Sequence, residues 1–176
     1  SFDTDGKVTT AVRTSTGSIA AIAVATDGSI VVGGSSSDGT NLDFALARYT
    51  SSGALDTSFD GDGLVTTAMH TSLDAIYDIA LDASGKIVAV GGSATNTAIA
   101  RYLADGTLDT SFSGDGLLTV SVGASGYLYS TALQPDGRIV AAGFTNGGSD
   151  DNVLVQRFTA DGQLDTRVNP ATSSLG

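Results

Sequence analysis

The stretch LDTSFDGDGLVTT, residues 55–67, comes back along the chain, and no other feature narrows the fold so far. SFDTDGKVTT opens the sequence at Ser1, LDTSFSGDGLLTV runs from Leu108 to Val120, and a further LDT at Leu164 is followed by RVNPATSSLG. Cutting before each SF gives units 1–57, 58–110 and 111–166, of 57, 53 and 56 residues, with 167–176 left as a C-terminal tail. Tandem units of this kind bury their apolar faces against one another, so the 176 residues read as a single repeat domain whose fold is a ring or stack of one small element.

Each unit keeps one internal order. A short VTT-like strand is followed by an apolar run, a turn, a second apolar run, a loop and an ARY-like strand. The paired runs are IAAIAVA with SIVVGG, AIYDIALD with KIVAVGG, and YLYSTALQ with RIVAAG. Short apolar runs bounded by Gly and Asp, without helical spacing or caps, predict strands. The turns Asp27-Gly28, Ser84-Gly85 and Asp136-Gly137 supply the positive-φ residue of a two-residue hairpin. Four strands per unit, with Ala and Gly crowding the inner runs, predict an all-β protein built of propeller blades; a β-solenoid is the competing repeat architecture.

ALQPDGRIVAAGFTNGGSDDNVLVQRFTADGQLDT and its looser copies AVATDGSIVVGGSSSDGTNLDFALARYTSSGALDT and ALDASGKIVAVGGSATNTAIARYLADGTLDT resemble the delta-60 repeat, a family of bacterial propeller-like tandem repeats. The resemblance spans all but about the last ten residues. It implies a secreted or cell-surface bacterial protein, more repeats than three in most members, and no catalytic residues. The blade order is similar to the NHL type, in which the strand before the Asp-Gly turn is innermost. Carried over, that order puts the first blade's strands near Ile19 to Ala25, Ser29 to Gly34 and Phe44 to Thr50, with Gly63 to Met69 outermost.

The two ends are then complementary. Gly6 to Val12 is an outermost strand without a blade in front of it, and the third blade ends without an outermost strand of its own. Propellers close with about four to eight blades, so three repeats need either more chain or a partner. The chain starts at Ser1 instead of methionine, as a processed or excised piece of something longer would. A homodimer closing a six-bladed ring through Gly6 to Val12 is the alternative to a fragment of a longer propeller.

Charge limits the partners. Eight Lys and Arg stand against 19 Asp and Glu, a net charge of -11, which disfavours nucleic acid and leaves an unknown protein or glycan as the expected ligand. No cysteine is present for a disulfide or a thiolate metal site. No apolar run reaches membrane-spanning length, so no membrane insertion is expected.

Among the chemistry-bearing residues, DTSFDGDG has the acidic, glycine-kinked composition of a calcium loop, and Asp56, Asp60 and Asp62, with Asp109 and Asp115 in the next copy, are the candidate ligands. The alternative is that these aspartates bond nearby backbone amides in metal-free turns; the first copy has Asp3 and Asp5, and the third has Ser113 in the middle slot. Arg48 and Asp56, Arg101 and Asp109, and Arg157 and Asp165 are each eight apart and read as structural ion pairs, since a catalytic pair would not recur in every blade. From the turn glycine to that arginine the spacing is twenty, sixteen and twenty residues, so the loops between second and third strands vary in length. Those loops and the loops entering each blade form the candidate ligand face, with Asp38, Asp43, Asp74, Asp150, Asp151 and the single histidine, His70.

No phosphate loop or zinc pattern appears, and a serine triad would have to use His70. The reading is a non-enzymatic scaffold or binding module, extracellular or at the cell surface, without a cofactor. Its alternatives are a calcium-stabilised glycan- or protein-binding module, and a hydrolase or lyase with acidic residues at the channel mouth.

Overall fold

The computed structural model describes residues 2–13, 16–69, 73–148 and 150–166. They form eleven strands and no helix. The first antiparallel sheet runs β1 (Gly17–Val24), β2 (Ile30–Ser37), β3 (Leu42–Tyr49) and β4 (Leu64–Thr67), in that spatial order. The second repeats it with β5 (Asp74–Leu81), β6 (Ile87–Ser93), β7 (Asn96–Tyr102) and β8 (Leu117–Val120). The third has β9 (Ser125–Leu133), β10 (Ile139–Asn146) and β11 (Asp151–Phe158), and no fourth strand among the described residues. These are the blades of a β-propeller. β1, β5 and β9 lie against one another across blades and so take the inner position.

The core sits between blades. Phe44, Leu46 and Val65 of the first blade pack on Ile76, Ile79, Ile87 and Tyr102 of the second. Val88, Val90 and Ile99 of the second pack on Leu128, Ile139 and Phe158 of the third. Alternation along each strand makes this possible, because one face of a blade serves the joint behind it and the other the joint ahead. The two joints match each other position by position. Tyr102 Oη donates to Thr67 Oγ1 at 2.9 Å in the first; in the second, Phe158 and Val120 replace that pair, and both sides become apolar together.

Two local expectations need correction. The turns are three-residue loops: Ala25 N–H donates to Ser29 O, and only the glycine of 26–28 has positive φ (84°). A two-residue type I′ turn would need two such residues; one αL glycine after a type I turn is the geometry seen. The glycines of IVVGG, IVAVGG and IVAAG mark two kinds of crowding: a Cβ on Gly33 or Gly92 would meet side chains, Ile79 at 2.9 Å and Tyr127 at 1.9 Å, and the other three face backbone. Each inner strand carries a bulge, after Ile19, Ile76 and Leu128. The carbonyls of Ser18, Ala75 and Tyr127 then come within 1.8, 1.9 and 1.8 Å of where a Cβ on Gly34, Gly91 or Gly143 would stand. Only glycine fits there.

A third correction concerns Gly6 to Val12. It holds no strand, because no third strand of a blade lies beside it to share a ladder, and a strand exists only through its ladder. The segment is nevertheless docked as an outer strand would be. Phe2, Val8, Thr10 and Val12 face Ile19, Ile22, Ile30 and Val32 across the front of the first blade. Arg13 pins its far end, donating to Asp43 Oδ2 at 2.6 Å and to Thr66 Oγ1 at 3.0 Å.

Candidate functional site

The recurring LDTSF folds back on the strand before it. Thr50 N–H donates to Ala54 O and Asp56 N–H to Arg48 O, a tight return that sets Arg48 Nε 2.8 Å from Asp56 Oδ2. Arg101 meets Asp109 at 2.8 Å and Arg157 meets Asp165 at 3.0 Å in the same way. The rest of the guanidinium crosses to the next blade. Arg48 also donates to Ser58 Oγ and to the Ala104 carbonyl, and lies 4.8 Å over the Phe59 ring; Arg101 does the same with Ser111, the Ala160 carbonyl and Phe112.

Phe59 and Phe112 are fully buried. Each ring sits on a left-handed glycine of the next blade, Gly106 or Gly162, where a Cβ would come within 3.0 or 2.9 Å of the ring. Phe2 takes the equivalent seat on Gly53. The recurring SF was plain in the sequence, but the phenylalanine had no role there; its return after LDT at Phe59 and Phe112 was the available signal.

The aspartates proposed for calcium face their own turns. Asp56 Oδ1 accepts from Ser58 N and Oγ, while Asp62 and Asp115 accept from the amides of Leu64 and Leu117. Asp60 adopts a left-handed backbone (φ 52°), as do Asp3 and Ser113 at the matching places. The Ser58 hydroxyl first, and its amide and Arg48 with it, hold the Asp56 carboxyl below the usual carboxylate range. Burial alone would raise Asp109, but bonds from Lys86 and Ser111 and the charge of Arg101 bring it well below that range. Among the described residues no three His, Cys, Asp or Glu side chains converge to hold a metal ion.

The expected ligand-face residues separate into two groups. Asp43 and Asp74 are buried, Asp43 on Arg13 and Asp74 accepting the Met69 amide at 2.9 Å. Asp38, Asp150 and Asp151 are exposed; Asp38 accepts the amides of Thr40 and Asn41, which lower its pKa. His70 lies outside the described residues.

One cluster was not foreseen. Tyr77 and Tyr129 occupy the bulges of β5 and β9, and with Tyr127 and Phe144 they form a continuous aromatic group, Tyr77 to Tyr129 at 5.1 Å and Tyr129 to Phe144 stacked at 5.7 Å. Tyr129 is half exposed, and burial, then the neighbouring tyrosines, raise the Tyr77 pKa. The first blade has Ala20 at its bulge and no such group, so this feature breaks the repeat. Its absence from one blade is legible in the sequence, but its clustering across two blades is not.

Repeated four-stranded blades joined by an Arg, Asp and Phe device define a β-propeller. The chain belongs to the family described as a domain of unknown function (DUF5122) beta-propeller, whose model matches residues 25–59, 83–112 and 134–167. Each matched stretch runs from the innermost turn to the end of the LDTSF return or just beyond its Asp. No curated protein matches the chain.

Proposed function

We propose that this propeller, with repeats of the delta-60 kind, is a non-catalytic binding module acting outside the cell or at its surface. The observation that carries the reading is what recurs and what does not. The charged side chains that recur are spent on turns and blade joints, whereas the residues that differ between blades are exposed loop aspartates and the aromatic group at two bulges. Variable loops and half-exposed tyrosines on a rigid scaffold suit recognition of a protein or glycan. A hydrolase acid needs a carboxyl raised toward neutrality. The carboxyls of Asp27, Asp38, Asp56, Asp82, Asp105 and Asp109 are moved down by their surroundings.

The test is a glycan array and a displayed-peptide panel probed with the chain and with Tyr129→Ala and Asp150→Ala/Asp151→Ala variants, beside a panel of chromogenic glycosides. Saturable binding that one variant weakens, with no glycoside turned over, is expected. Turnover that survives repurification would sink the reading.

A further inference from the structure

We propose that two copies of this chain close head to tail into a six-bladed ring, each supplying residues 7–10 as the fourth strand of the other's third blade. This inference stands on the blade joint alone and goes beyond the binding role. The joint is built twice within the chain, and each end presents one half of a third. On the open back of the third blade, Val153 and Val155 are 87% and 64% exposed, although they hold the register positions of Phe44 and Leu46, which are 0% and 1% exposed. On the front of the first blade, Ile19 and Ile22 are 57% and 66% exposed, whereas the matching Ile76 and Ile79 are 1% and 6%.

The ion-pair device shows the same gap. The side chains of Arg48 and Arg101 are 14% and 11% exposed, but that of Arg157, which keeps its Asp165, is 43% exposed. For Arg157 the counterparts of what Arg48 and Arg101 meet, a phenylalanine from an SF segment and a carbonyl just after a third strand, lie on the partner. The partner's Phe2 and the partner's Ser51 are those groups. Phe2 is already seated on Gly53, and Asp3 N–H donates to Ser52 O at 2.7 Å, as Asp60 does to Asp105 and Ser113 to Asp161. The hook therefore sits on the first blade in the posture that the joint requires. Extending the ladders Phe44↔Thr67, Leu46↔Val65 and Thr97↔Val120, Ile99↔Leu118 predicts Val153 opposite the partner's Thr10 and Val155 opposite the partner's Val8. Three blades per copy make six with two copies, within the range in which propellers close, and nine with three, beyond it.

The test is the mass of the purified chain by light scattering at micromolar concentration, with a V153D/V155D variant and a V8C/V155C variant. A species of about 35 kDa, twice 17.5 kDa, is expected. V153D/V155D should halve that mass while keeping the β-sheet circular dichroism spectrum, since both side chains point away from the chain's own core. The chain has no cysteine of its own, so oxidised V8C/V155C should run as a covalent dimer on a non-reducing gel. A folded wild-type monomer, a mass that grows without limit with concentration, or a V8C/V155C chain that yields no covalent dimer would each overturn the proposal.

Discussion

The guanidinium of Arg101 lies 4.8 Å over the ring of Phe112 while its Nε holds Asp109 at 2.8 Å, so one side chain ties the end of a blade to the segment that plugs into the next. Arg101→Ala removes the ion pair, the cation over the ring and the bond to the Ala160 carbonyl at once. Breaking a buried pair costs about 3–5 kcal/mol; with Arg101 still 11% exposed, about 2–3 kcal/mol is expected. Urea unfolding of Arg101→Ala and Arg101→Lys measures it, and the lysine, which cannot fork, should recover less than half.

The seat beneath each phenylalanine makes a second test. Gly106 and Gly39 both have positive φ, 93° and 99°, but a Cβ on Gly106 meets the Phe59 ring at 3.0 Å and one on Gly39 meets nothing. Gly39→Ala should cost about 1–2 kcal/mol, the strain of an L-residue in that conformation. Gly106→Ala should cost about 1–3 kcal/mol more, because the ring must move. Equal losses in thermal melts of the two variants would remove the seat from the account.

Stability should depend on acid through Asp109. Its folded pKa lies below the ordinary value of about 3.9, so between the two values the unfolded chain binds the proton more readily. The stabilisation is complete above about pH 4 and is lost as pH falls from there through the folded value. The urea midpoint should therefore drop between pH 5 and pH 3. Asp109→Asn should flatten part of that slope, with Asp56 and Asp82 among the other carboxyls shifted the same way.

Turn and calcium roles for Asp62 give opposite results with asparagine. An amide oxygen can still accept the Leu64 N–H but binds a cation poorly, so Asp62→Asn should melt with the wild type and Asp62→Ala about 2–4 °C lower. EDTA should leave all three melting temperatures where they were. A fall on chelation confined to chains with a carboxylate at this position would make the turn a metal site.

The sequence by itself determined the repeat, the strands and the eight-residue step from Arg48 to Asp56, since these depend on local spacing: alternation of side chains, left-handed glycines and a short return. What a side chain meets in the neighbouring blade was decided only by the tertiary structure. Asp43 and Asp38 look alike in a polar loop, yet one is buried under Arg13 and the other is exposed. Tyr77 and Tyr129 lie 52 residues apart and touch only because a bulge in each inner strand turns them to the same edge. Contacts between blades join residues some fifty positions apart, and their geometry exists only once the sheets are stacked.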